Sequence, residues 1–107
     1  MIARSARQVP VRFRFAADEC RPEGWGRFLR VSPDTAVLLT RFPVRPGERL
    51  LLDFDLPPGE RFESLAAETL AAPEDADGYT VAELAVPDPA ARARLGRALR
   101  AILSRPV

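Results

Sequence analysis

Apolar and polar residues alternate between positions 9 and 86, in short segments that turn-forming residues separate. In 9–15 every second residue is apolar, which is typical of a half-buried strand. In 25–31 the alternation sets Trp25, Arg27, Leu29 and Val31 on one face against Gly26, Phe28 and Arg30. The other segments of this kind are 35–40, 49–56, the alanine-rich 61–70, and 79–86. Six short strands with a turn about every ten residues predict an antiparallel barrel or sandwich.

The apolar pattern changes its period after residue 86. Apolar residues there recur at intervals of four, four and three, on one face of a helix: Ala91, Leu95, Leu99 and Ile102. Asp88 is a suitable N-cap and Pro89 is favourable in a first helical turn, so we expect a helix over 88–104. Three arginines fall on the opposite side of this helix: Arg94, Arg97 and Arg100. We therefore expect one amphipathic helix beside a six-stranded β structure.

The length of 107 residues fits a single domain, with an arginine-containing segment at 1–8, a barrel at 9–86 and the helix at 88–104. The single cysteine, Cys20, excludes an intramolecular disulfide. No apolar run approaches the roughly 20 residues of a membrane helix, and residues 1–10 lack the apolar region of a signal peptide. We therefore expect a cytoplasmic protein that is not inserted into a membrane.

The residue types that are missing limit the chemistry of the chain. It has no histidine, and all 16 of its basic residues are arginines. Histidine-dependent nucleophilic catalysis, histidine-ligated metals and lysine Schiff-base chemistry are thereby excluded. Asp53 and Asp55 alternate on one strand face, but no metal partner or nucleophile accompanies them, so solvated carboxylates are the better interpretation. We expect neither an enzyme nor a bound cofactor or metal.

Charge is unevenly distributed along the chain. Residues 1–49 carry ten arginines against five acidic residues, 50–91 carry ten acidic residues against Arg61, and 92–107 carry five arginines and no acidic residue. Nucleic-acid-binding proteins generally present a dominant positive patch, whereas this sequence places an acidic segment between two basic ones. We therefore do not expect a nucleic-acid partner.

The order of these segments resembles that of the PilZ domain, a bacterial module associated with cyclic di-GMP. In that family an RxxxR motif precedes the first strand, and a (D/N)xSxxG motif follows the second strand of a six-stranded antiparallel barrel that ends in a helix. Here Arg4-Ser5-Ala6-Arg7-Gln8 precedes the first strand, and Arg30-Val31-Ser32-Pro33-Asp34-Thr35 stands where the serine motif belongs. The segments 44–59 and 79–84 resemble the family's middle strand pair and last strand. The resemblance implies a PilZ-like β-barrel with one C-terminal α-helix.

Three positions depart from the two motifs. Gln8 stands where the second arginine belongs, Arg30 replaces the leading Asp or Asn, and Thr35 replaces the closing glycine. Glutamine lacks the charge and the forked geometry of a guanidinium, and Arg30 cannot accept a hydrogen bond. The resemblance implies that any remaining nucleotide site consists of Arg4, Arg7, Gln8, Arg30, Ser32 and Asp34.

Two hypotheses follow from this comparison. The leading one is a degenerate PilZ-like interaction module in the regulation of motility, pili or the envelope, whose affinity for cyclic di-GMP is lost or weakened. Its partner is expected to be another signalling or motility protein, which binds an apolar patch around Trp25 or Phe42 or the arginine face of the helix. The residues of that arginine face are Arg94, Arg97 and Arg100. The alternative is a genuine cyclic di-GMP receptor with an altered set of contacts, namely Arg4, Arg7, Arg30 and Ser32.

Overall fold

A computed structural model describes residues 9–18, 20–57 and 59–103 of the chain. These residues form six strands and one helix: β1 (Pro10–Phe15), β2 (Gly24–Val31), β3 (Thr35–Thr40), β4 (Arg49–Leu56), β5 (Glu60–Ala71), β6 (Thr80–Ala85) and α1 (Pro89–Leu103). The strands close into a barrel in the order β1-β2-β3-β6-β5-β4, and every neighbouring pair is antiparallel. The predicted fold class, a mainly β six-stranded antiparallel barrel with one C-terminal helix, is confirmed.

The alanine-rich segment forms β5, which at 12 residues is the longest strand. Its composition is unfavourable for a strand, but Phe62, Leu65 and Ala67 all point into the core. Its backbone is paired on both sides, with β4 and with β6. Packing and pairing therefore decide the structure of this segment against its weak local propensity.

The single face predicted for Trp25 and Val31 in the second strand is wrong. A β-bulge between Phe28 and Arg30 shifts the register of β2 against β3. Phe28 and Val31 therefore both face the core, whereas Trp25 faces the solvent. The extra residue in β2 thus places Val31 on the opposite face of the strand from Trp25.

One end of the barrel, here called the helix end, is formed by α1 and by the short connections that follow β2 and β4. The helix begins as predicted, because Asp88 Oδ1 accepts a hydrogen bond from the N–H of Ala90 at 3.3 Å. The face of α1 that packs on the barrel contains the predicted residues: Ala91, Leu95, Leu99 and Ile102. The helix end is therefore closed by apolar side chains.

The opposite end, here called the loop end, has no helix over it among the described residues. The longer connections of the barrel meet there, namely those from β1 to β2, from β3 to β4 and from β5 to β6. Arg21 crosses this end, with its guanidinium 3.6 Å from the centre of the Phe15 ring. The same side chain forms an ion pair with Glu48 and donates to the carbonyl of Pro43 at 2.7 Å. Loops and one arginine therefore close this end.

Candidate functional site

The serine motif lies in the hairpin turn between β2 and β3, at the helix end. The N–H of Ser32 donates to the carbonyl of Thr35 at 2.8 Å. Its hydroxyl lies 2.6 Å from the Thr35 hydroxyl, 3.1 Å from the Thr35 carbonyl and 3.4 Å from Asp34 Oδ1. Ser32 thus directs its side chain into its own turn, as expected for a residue that shapes a turn.

The turn is also connected to the segment that leads into the helix. The carbonyl of Asp34 accepts a hydrogen bond from the N–H of Val86 at 2.9 Å. Gly96 on α1 is buried against the same turn, and a Cβ added to it would lie 3.7 Å from Pro33. These contacts hold the serine motif against the middle of α1 and the segment that precedes it.

The predicted nucleotide contacts are only partly within the described structure. Arg4, Arg7 and Gln8 lie outside the described residues. Arg30 is exposed on the outer face of β2, where it stands opposite Val37 of β3. The described part of the predicted site is therefore a single hairpin that contains Arg30, Ser32 and Asp34. Asp34 is exposed there, next to the Ser32 hydroxyl that is bonded within the turn.

The three arginines of the predicted helix surface are all exposed. Arg94 nevertheless turns toward the barrel: its Nε donates to Glu60 Oε1 at 2.7 Å, and Nη2 donates to the Arg61 carbonyl. Its guanidinium lies 4.2 Å from the centre of the buried Phe62 ring. Arg97 lines a concavity together with Pro57 and Gly59, and Arg100 Nη1 lies 3.4 Å from a Cβ placed on Gly96. Arg94 thus fastens the helix to β5.

The paired carboxylates of β4 have partners within the barrel wall. Asp53 Oδ1 accepts a hydrogen bond from the N–H of Ser64 at 2.8 Å, which supports Ser64 in a left-handed conformation with φ of 52°. Asp55 pairs with Arg61 at 3.1 Å. Hydrogen bonds to Glu63 and then to Asp55 raise the pKa of Arg61 above the ordinary arginine value. Both carboxylates therefore serve local structure.

An aromatic surface lies at the loop end, on the outside of the barrel. Trp25 is 66% exposed, and its ring centre lies 4.5 Å from that of Phe42. Phe42 in turn lies 6.3 Å from Phe13, whose side chain is fully buried. Arg41 stacks over Tyr79 at 4.9 Å. The exposed tryptophan is thus joined to the core by consecutive ring contacts.

These side chains border a groove of about 390 Å³, which we call the Trp25 groove. Its lining is Trp25, Gly26, Arg27, Leu39, Thr40, Arg41, Phe42 and Tyr79. The sequence pointed to Trp25 and Phe42, but it gave no signal for Arg41, Leu39 or Tyr79. Tyr79 is far along the chain from its groove neighbours Leu39 and Arg41 and reaches them only because β6 pairs with β3.

The comparisons with known proteins identify no relative. No family model matches the chain, and no curated protein or solved structure matches it significantly.

Within the described ranges, no helix has the length and apolar character needed to cross a membrane. The same ranges contain no group of three or more Cys, Asp or Glu side chains placed to hold a metal ion. Functional inference therefore depends on the sequence motifs and the geometry.

Proposed function

We propose that this protein is a PilZ-like, non-catalytic interaction module of cyclic di-GMP-linked regulation, with affinity for the nucleotide itself lost or weakened. The barrel with one C-terminal helix is the architecture that the PilZ resemblance implies. The absence of histidine and lysine from the chain and the local bonding of Asp53 and Asp55 support a role without catalysis.

The observation that carries the proposal is the bonding of the Ser32 hydroxyl. It lies 2.6 Å from the hydroxyl of Thr35, the residue that replaces the glycine of the family motif. A glycine at this position has no side chain, so Thr35 both adds bulk to the turn and supplies a partner for the serine. The serine hydroxyl is consequently engaged in a contact that the family motif does not contain.

The other two departures act in the same direction. Arg30 presents only donors where the motif has an acceptor, and Gln8 lacks the charge that a second arginine brings to a phosphate. Each lost hydrogen bond or charged contact is worth about 1–3 kcal/mol. Two or three such losses weaken binding by several orders of magnitude.

Isothermal titration of cyclic di-GMP into the purified protein tests the proposal. We expect no heat of binding at about 100 μM protein, the range that detects micromolar affinities. Micromolar or tighter binding would overturn the proposal and support a receptor with an altered arginine set. In that case Arg30→Ala, which removes the exposed guanidinium beside the turn, should weaken binding at least tenfold.

A restored variant extends the test. Gln8→Arg, Arg30→Asp and Thr35→Gly together rebuild the two family motifs, and we expect the triple variant to bind cyclic di-GMP. The matched control adds Ser32→Ala to the same triple variant and should lose most of the binding gained. A restored variant that folds but gives no heat would contradict the assignment of these positions to a former nucleotide site.

A further inference from the structure

The exposed indole of Trp25 is not required to close the barrel. Two large apolar side chains among the described residues are mostly exposed, Trp25 and Leu70, and Trp25 lines the groove described above. Burying a tryptophan against a partner is favourable, and tryptophan, tyrosine and arginine are the residue types that contribute most at protein interfaces. The Trp25 groove presents all three types within one concave surface.

The charge of the groove determines what it can bind. Among the described lining residues two are arginines and none is acidic, and because Arg27 already makes an interaction of its own, Arg41 is the cation that faces an occupant. Arg41 is held over Tyr79, which keeps its guanidinium at the edge of the apolar surface. An occupant with negative charge beside an apolar side chain is therefore complementary to the groove.

The topology limits how a partner can bind. In a closed barrel every strand is paired on both sides, so an incoming peptide cannot extend the sheet by adding a strand. Recognition at this surface must instead occur through side chains. A groove of this size accommodates one apolar side chain and its neighbours, as a short linear segment of another protein would supply.

We infer that the Trp25 groove binds an acidic linear segment of a partner protein, with one aromatic or branched aliphatic side chain inserted beside Trp25. A carboxylate beside that anchor pairs with Arg41. This inference rests on the proposed function as an interaction module and adds to it the surface and the chemistry of the partner.

Selection of a random twelve-residue peptide display library on the full chain tests the inference. We expect enriched peptides to carry Asp or Glu beside a Phe, Leu or Trp. A labelled peptide of this kind should bind at least tenfold more weakly to Trp25→Ala and to Arg41→Glu, measured by fluorescence anisotropy. The Arg41→Glu protein, when used for selection itself, should shift the enriched sequences toward Lys and Arg.

Two matched variants control for loss of apolar surface and for change of charge. Leu70→Ala removes the other exposed large apolar side chain, and Arg92→Glu reverses an exposed charge on α1. Both should bind the labelled peptide within about twofold of the unaltered protein. Equal weakening by the control variants would overturn the inference, because the effect would then not be specific to the groove.

Other results of the selection would overturn the inference about the Trp25 groove. The inference is wrong if no peptide is enriched, if the enriched peptides lack acidic residues, or if Trp25→Ala binds them unchanged. It is also wrong if sedimentation shows a dimer that Trp25→Ala dissociates, since a second copy then fills the groove. Tight binding of cyclic di-GMP overturns the proposed function but not the peptide result, whereas failed selection without nucleotide binding overturns this inference alone.

Discussion

The barrel contains two aromatic clusters, one toward each end, that are covered alike but differ in their exposure to solvent. Toward the helix end, Phe54 lies 4.9 Å from both Phe28 and Phe62, and Arg94 of α1 covers Phe62. Toward the loop end, Phe13 contacts Phe15 and Phe42, and Arg21 covers Phe15. In each case one arginine combines a ring contact, an ion pair with a glutamate and a hydrogen bond to a backbone carbonyl.

The two clusters differ in how they meet the solvent. The rings of the helix-end cluster are all buried in the core of the barrel: Phe28, Phe54 and Phe62. The loop-end cluster continues from Phe42 to Trp25 and so reaches the outer surface. The exposed part of the loop-end cluster therefore lies at the opposite end of the barrel from the serine motif, which is at the helix end.

The largest expected difference in the free energy of unfolding is between the loss of a buried ring and the loss of an exposed one. Phe62→Ala removes a fully buried ring and should lower the free energy of unfolding by about 3–5 kcal/mol. Trp25→Ala removes a ring that is 66% exposed and should cost less than about 1 kcal/mol. Urea unfolding followed by circular dichroism measures both. Similar losses would show that Trp25 is part of the structural core.

A smaller effect is expected where β2 crosses the loop-end cluster. A Cβ added to Gly24 would lie 2.4 Å from the Phe13 ring, so Gly24→Ala must displace a buried phenylalanine. We expect a loss of about 1–3 kcal/mol in the free energy of unfolding, the usual range for an overpacked core. Gly59→Ala is the control, since no described atom lies within 4 Å of its added Cβ. An equal response of the two variants would contradict the packing of Phe13 against β2.

The smallest expected effect compares the two covering arginines. In the ion pairs, the Arg21 side chain is 26% exposed and that of Arg94 is 43% exposed. Arg21 also lies nearer its ring, at 3.6 Å against 4.2 Å. Because water screens exposed pairs, we expect Arg21→Ala to cost about 1–2 kcal/mol and Arg94→Ala about 0.5–1 kcal/mol. Thermal unfolding at low and high salt measures the difference, and the reverse order would contradict it.

Most of the fold follows from patterns that are visible in the sequence. The alternation in 49–56 and the helical spacing of Leu95 and Leu99 are local signals, and burial follows them closely. The bulge after Phe28 is different, because it depends on how β2 pairs with β3. Leu29, which lies in the bulge, is not a residue type that predicts one. The exposure of Trp25 therefore follows from the pairing of the strands and not from the local sequence.

The candidate site was predictable to a lesser degree. Ser32 sits between turn-forming residues, and its role in the turn follows from that local context. The engagement of Ser32 by Thr35 requires the geometry of the hairpin. The juxtaposition of Arg41 and Tyr79 requires the pairing of two strands that are distant along the chain. Long-range pairing thus creates the groove that local patterns miss.

The order of the strands also has a consequence for how the protein is made. β6 fills the gap between β3 and β5, pairing Thr35 with Ala85 and Thr40 with Thr80. A nascent chain that has not yet reached β6 therefore holds two strands with unpaired edges, which are templates for association with other chains. Pairings over such separations also slow folding. Pairing of β6 with both of its neighbours removes these two edges.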